Sequence, residues 1–312
     1  RDFPQTHTVK LEQNYRSTSN ILTAANGVIS KNAERLGKNL WTDSGEGESI
    51  ALYAAFNEHD EARYIADRLQ SWVNDGNRRD DSAILYRSNA QSRVLEAALL
   101  QAEIPYRIYG GQRFYERLEI KNALAYLRLM LNCHDDVAFE RVVNVPPRGI
   151  GDRSLEVIRE LARGNNTTLW SAASLVVSEK HLTARATNAV SAFLELINDM
   201  SGQLEELPLA EQAENAIQFS GLIEMHRREK GERGQARVEN LEELISACRA
   251  FEAEDRDIPI LPQFLDQVAL DAGDRQADED QDAVQLMTLH SAKGLEFPLV
   301  LIAGMEENLF PH

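Results

Sequence analysis

Residues 82–109 read SAILYRSNAQSRVLEAALLQAEIPYRIY, and this stretch decides the class of fold. Ser82–Tyr86 is a short apolar run, as a buried strand requires. Ser92–Gln101 places Val94, Leu95, Ala98 and Leu99 on one helical face. Tyr106–Tyr109 is another short strand, ended by Gly110 and Gly111. Strands separated by a helix of this length imply βαβ crossovers and a parallel sheet.

Upstream the alternation continues. Ile50–Phe56 is apolar and rich in β-formers, which predicts a strand. Glu58–Val73 carries Ala62, Ile65, Ala66, Leu69 and Trp72 at helical spacing. Further upstream, Ser17 or Thr18 can cap a helix through Ile21, Leu22, Ala25 and Val28. Downstream the pattern changes. From about Phe114 to Leu270 the periodicity is helical, interrupted by turn-rich segments such as Asn144–Gly151 and Gly231–Gly234. Within it, Leu124, Leu127 and Leu131 share a face and are expected to be buried. Strand signals return at Val284–Leu289 and Leu299–Ile302. Two strands are too few for a new domain, so they are expected to rejoin the first sheet. The reading is an α/β domain interrupted by an all-α block, which enters near Gly110-Gly111 and leaves near Asp282.

The chain has 312 residues, 43% of them apolar, enough for a core and about two domains' worth of length. Its formal charge of −17 argues against a polyanionic partner only until it is located. Residues 252–282 hold eleven acidic residues against Arg256 and Arg275, more than half the net charge. Residues 225–237 reverse the sign, with Arg227, Arg228, Lys230, Arg233 and Arg237 against Glu229 and Glu232. Local sign decides where a polyanion sits, so nucleic acid stays open. Asp271–Asp282 reads as a solvated loop rather than a metal site. Cys133 and Cys248 are far apart, and no His-x-x-x-His pair exists, so neither a disulfide framework nor a metal is expected. A reducing cytoplasm fits. No run approaches a membrane span and no signal-peptide core is present. The chain starts at Arg1 and stops just after a strand-like run, which suggests a piece of a longer protein.

Four segments could carry chemistry. In EQNYRS (12–17), the Tyr15 ring could stack on a base and the Arg16 guanidinium could fork onto phosphate oxygens. Alone, the segment reads more simply as a buried tyrosine and a surface arginine at a helix start. In VQLMTLHSAKGLEF (284–297), Thr288, His290, Ser291 and Lys293 offer donors at a sheet edge. Gly294 allows close backbone approach, and Glu296 could accept from a ribose hydroxyl. A polar strand–loop–strand connection is the plainer reading. No Gly-x-x-x-x-Gly-Lys-Ser/Thr loop occurs anywhere in the chain. PPRGIGD (146–152) could expose amides at a helix N-terminus to phosphate, with charge from Arg148 and Arg153, or be an ordinary helical hairpin. Arg87 and Asn89 stand at a strand end, where they could meet a nucleic-acid backbone or base or simply face solvent.

Taken in order, LEQNYRSTSNIL (11–22), AILYRSNAQSR (83–93), IPYRIYGG (104–111), FERVVNVPPRGIGD (139–152), ENLEEL (239–244) and DAVQLMTLHSAKGLEF (282–297) resemble the C-terminal half of superfamily-one DNA helicases of the UvrD/Rep/PcrA type. The resemblance spans essentially the whole chain. It implies a second RecA-like domain, of the P-loop NTPase type, over 1–109 plus 283–312, with an α-helical accessory subdomain inserted over 110–282. It implies that Tyr15 stacks on adenine, that Arg16 contacts the γ-phosphate as the catalytic arginine, and that Glu296 binds the ribose beside Gly294. Arg87, Asn89, Thr288, His290 and Lys293 would face single-stranded DNA. Arg148, Gly149, Ile150 and Gly151 would grip a duplex–single-strand junction through phosphates. The parent would translocate 3′ to 5′ on ATP with Mg2+ and act in mismatch and nucleotide excision repair with repair proteins, without a membrane or any small substrate but ATP. The magnesium ligands and phosphate loop would lie outside this chain, which is then expected to lack ATPase alone. A competing reading makes the helical block a docking module for DNA or protein. A small-molecule α/β enzyme has little support, because no nucleophile–base pair is arguable.

Overall fold

The computed structural model describes every residue except 1–8, 32–36, 203, 205, 256, 274–276, 279, 308 and 311–312. It divides into two compact units, Arg1–Glu61 with Gly294–Glu296, and Ala62–Lys293 with Phe297–His312.

The larger unit holds a parallel four-stranded sheet: β1 (Ser82–Tyr86), β2 (Tyr106–Ile108), β3 (Val284–Thr288) and β4 (Leu299–Ile302), in the order β2-β3-β1-β4. Every residue of β1 is buried, as expected for a central parallel strand covered on both faces. β3 returns from far along the chain to lie between β2 and β1, with Ala83 opposite Gln285 and Tyr106 opposite Val284. The first two helices are α1 (Ser19–Ile29), in the smaller unit, and α2 (Glu58–Asn74). Ala62, Ile65, Ala66 and Leu69 of α2 join Val94, Leu95 and Leu99 of α3 (Ser92–Gln101) in the core around Ile84, Tyr86 and Leu286. The sheet and its crossover helix are therefore where residues 82–109 predict them.

Between β2 and β3 the described residues form helices: α4 (Leu118–Leu131), α5 (Asp136–Val142), α6 (Asp152–Asn165), α7 (Leu169–Glu179), α8 (Ala184–Ser201), α9 (Leu209–Phe219), α10 (Leu222–Arg227), α11 (Glu232–Ala250) and α12 (Ile260–Gly273). They have their own core. α4 is its axis, touching α5, α8, α9, α11 and α12, and most of its residues are buried on all sides. Phe139 anchors the neighbouring layer edge-on between Trp170 at 6.4 Å and Phe193 at 5.6 Å. Cys133 and Cys248 are both free, and burial pushes the Cys248 thiol up to about 12. No described helix is long and apolar enough to cross a membrane.

Four local expectations are corrected. Residues 50–56 form no strand: Leu52 is 91% and Phe56 96% exposed, and Tyr53 Oη and Phe56 N donate instead to Asp60 Oδ2. Alternation records β-propensity, but a strand exists only where a ladder partner accepts it. Leu124 and Leu127 are buried as predicted, whereas Leu131 is 44% exposed, because the helix ends at that residue and outruns its core. In α1 only Leu22 is buried, and Thr18 caps without its hydroxyl: Ser19 N and Asn20 N donate to the carbonyls of Gly45 and Glu46. α12 extends to Gly273, inside the expected acidic loop; residues 274–276 and 279 of that loop lie outside the described residues. Asp282 is not free in solvent: it accepts from Asp80 N at 3.0 Å and pairs with Arg79 at 3.5 Å.

These burial differences set opposite expectations for two leucines of one helix face. Leu127→Ala should cost about 2–5 kcal/mol by urea denaturation, and Leu131→Ala less than about 1 kcal/mol.

Candidate functional site

In the smaller unit the backbone around Tyr15 and Arg16 is held by short-range polar bonds. Asn14 N donates to Trp41 O, and Asn14 Oδ1 accepts from Arg16 N at 2.9 Å and Ser17 N at 2.8 Å, a side-chain turn of the kind asparagine makes. This turn throws both side chains outward. Tyr15 is 81% exposed, its hydroxyl donating to Gln13 Oε1 at 2.8 Å. Arg16 Nε donates to Glu296 Oε2 at 2.9 Å and Nη2 to Gly294 O at 3.2 Å. Four residues expected at a nucleotide, from opposite ends of the chain, are thus in one place. The pair is solvent-exposed, so it contributes little to stability. Gly294 has φ +94° and open space where a side chain would begin, a cradle suited to a ligand's approach. An exposed aromatic face, a forked cation and an acceptor carboxylate fit a nucleotide's base, phosphates and ribose. The described residues contain no group of three His, Cys, Asp or Glu that could hold a metal ion.

In the larger unit the parallel register does the positioning. Tyr86 lies opposite Thr288, and Leu289 N donates to Tyr86 O at 2.8 Å. The turns after β1 and β3 therefore leave the same sheet edge side by side, where α/β sheets place their ligands. One turn carries half-buried Arg87 and exposed Asn89; the other carries Thr288 and exposed His290 and Lys293. Each turn is braced. Gln91 Oε1 accepts from Arg87 N and Ser88 N, and Thr288 Oγ1 accepts from Ser291 N.

The loop before α6 differs from expectation at Arg148. Its guanidinium donates to the carbonyls of Pro146 at 3.0 Å and Ser220 at 2.7 Å and lies over the Tyr126 and Phe193 rings at 5.7 and 5.6 Å. Arg148 is an internal tie, not a charge offered at the loop. Ile150 is fully buried, and its amide, with that of Arg148, donates to Asn144 Oδ1. What remains outward is Gly149 at φ +84° and Gly151, the N-cap of α6.

The sequence reading missed a buried polar chain. Glu96 accepts from Ser92 Oγ at 2.7 Å and from Phe114 N, with Arg113 at 3.8 Å and Arg117 at 4.0 Å; burial raises its carboxyl above the usual range. Arg117 donates to Asn89 O, Ser92 Oγ and Asn240 Oδ1, and Asn240 in turn donates to Glu119 at 2.6 Å. Buried charges need such partners. The signal in the sequence is two glutamates, Glu96 and Glu119, inside otherwise apolar helical spacing.

The family model for the UvrD-like helicase C-terminal domain matches residues 9–312. DNA helicase II of Escherichia coli (strain K12) is 58% identical over 312 residues, 99% of this chain and 43% of that protein. DNA helicase II of Haemophilus influenzae is 53% identical over all of this chain and 43% of its own length. The ATP-dependent DNA helicase PcrA of Staphylococcus epidermidis is 44% identical, over 100% and 42%. The chain spans less than half the length of these relatives. With a match running from residue 9 to residue 312 and covering every segment described above, the chain belongs to the UvrD-like helicase C-terminal domain family.

Proposed function

We propose that this chain is the second RecA-like domain (1–109 plus 283–312) and the accessory helical subdomain (110–282) of an ATP-dependent DNA helicase. The parent translocates 3′ to 5′ on single-stranded DNA and opens duplex in mismatch and nucleotide excision repair. The observation that carries the reading is the β1–β3 register, which sets Arg87 and Asn89 beside Thr288, His290 and Lys293 at one sheet edge. Cationic and hydrogen-bonding side chains in that row suit a single strand's phosphates and unpaired bases. The relatives' names support the activity.

The smaller unit supplies one wall of an ATP site. Tyr15 stacks on the adenine, Glu296 accepts from the ribose, and Arg16 exchanges its bond to Glu296 for the γ-phosphate. A guanidinium there stabilises charge that develops in phosphoryl transfer. The phosphate-loop lysine and magnesium ligands come from elsewhere in the parent. Gly149 and Gly151 approach the duplex backbone at the N-terminus of α6, where unbonded amides and the helix dipole favour phosphate. Arg148 and Ile150 hold that loop in shape.

Four outcomes are expected. Purified chain hydrolyses no ATP, with or without single-stranded DNA; hydrolysis by clean material refutes the division of the site. In anisotropy titrations on a labelled oligothymidine at several salt concentrations, Arg87→Ala and Lys293→Ala each lower affinity and flatten the log–log salt slope by about 0.7, one phosphate contact apiece. Gly149→Ala weakens binding to a duplex–single-strand junction while sparing the single strand. Arg148→Ala instead lowers stability by about 1–3 kcal/mol and leaves the salt slope unchanged, because its donors hold carbonyls. Should Gly149→Ala leave junction binding intact and abolish capture of a repair protein, the docking alternative gains.

A further inference from the structure

The segment ENLEEL (239–244) takes no part in the nucleotide or DNA contacts proposed above, yet its helix lies against the turn that carries Arg87 and Asn89. Three of its side chains reach that turn or its support. Glu239 accepts from Ser88 Oγ. Glu243 accepts from Arg93 Nε, with the two side chains only 21% and 13% exposed. Asn240 Oδ1 accepts at 2.9 Å from Arg117 Nη1, the same nitrogen that donates to Asn89 O at 2.8 Å. Positions 239, 240 and 243 lie within one turn of α11 and so present one face. Asn240 and Arg117 are buried, so neither can exchange these bonds for water without opening the packing. Ser88 also caps the short helical turn that starts at Asn89. The conformation of Arg87–Ser92 is thus set jointly by its own bonds and by a helix from the distant helical region.

We infer that Glu239, Asn240 and Glu243 are positioning residues: α11 is a strut through which the helical region sets where Arg87 and Asn89 stand at the sheet edge. None of the three touches DNA; they act through Ser88, Arg117 and Arg93. A change in the packing of α11 must carry the turn with it or break these bonds. Grip on a single strand is thereby coupled to the arrangement of the helical region. The inference rests on the DNA reading proposed above.

The test uses the whole chain with Glu243→Gln, Asn240→Ala and the reversed pair Arg93→Glu/Glu243→Arg. Hydrogen exchange reports the turn and oligothymidine titration reports the grip. Both single variants should speed exchange of amides 87–92 about tenfold, the equivalent of one lost bond, with β1 and β3 unchanged. Both should weaken oligothymidine binding about three- to tenfold at unchanged salt slope, since no phosphate contact is deleted. The reversed pair should restore protection, which a mere loss of packing would not allow. Unchanged exchange in both single variants, or no recovery in the reversed pair, overturns the strut. If binding ignores the single variants but is still lost in Arg87→Ala, the strut alone fails. If the unmodified chain binds no oligothymidine, the DNA reading fails and the strut's role in grip goes with it.

Discussion

The pairing of β1 with β3 is the constraint on which the rest depends. Two strands separated by some two hundred residues share a parallel ladder from Ala83–Gln285 to Tyr86–Thr288. Closing so long a loop costs chain entropy, although the cost grows only slowly with length. Burial offsets it. Ile84, Tyr86, Val284 and Leu286 are almost wholly removed from water. With the β2–β3 pairing on its other side, that ladder turns everything between β2 and β3 into a loop on the sheet. It also brings two polar turns, unrelated in sequence, to one edge.

A loop of that size must stabilise itself, and it does so with a separate core. α4 is its axis, and the aromatic contacts around Phe139 and the Arg148 tie hold its layers. The two cores meet through polar groups as well as apolar ones. Glu96, Arg117 and Asn240 are buried at that junction, where each unmet bond is costly and the fully bonded set specifies one arrangement. An apolar junction would tolerate sliding. A network of directional bonds does not, which suits a place where two parts of a proposed motor have to stay in register.

Much of this was legible before any coordinates. The apolar runs at 82–86, 106–109, 284–289 and 299–302 are strands to within a residue, most plainly β1, a central parallel strand whose every residue is buried and whose composition advertises it. Residues 50–56 have the same composition and form no strand, since propensity describes a surface and not a partner. Leu131 shows the same limit at a helix end: spacing gives the face, and only packing says how far along that face the core extends.

The candidate site divides along the same line. The sequence by itself determined the family of the chain and named candidate residues for nucleotide and nucleic acid, since both rest on local order and residue chemistry. Only the tertiary structure decided who meets whom. It pairs Arg16 with Glu296 across 280 positions of chain. It turns Arg148 inward onto carbonyls and rings, although its sequence context reads as a surface charge beside glycines. It gives ENLEEL neighbours that no local pattern names. The reason is physical: a side chain's chemistry is intrinsic to it, but its partners are fixed by strand register and helix packing, which only the closed chain possesses.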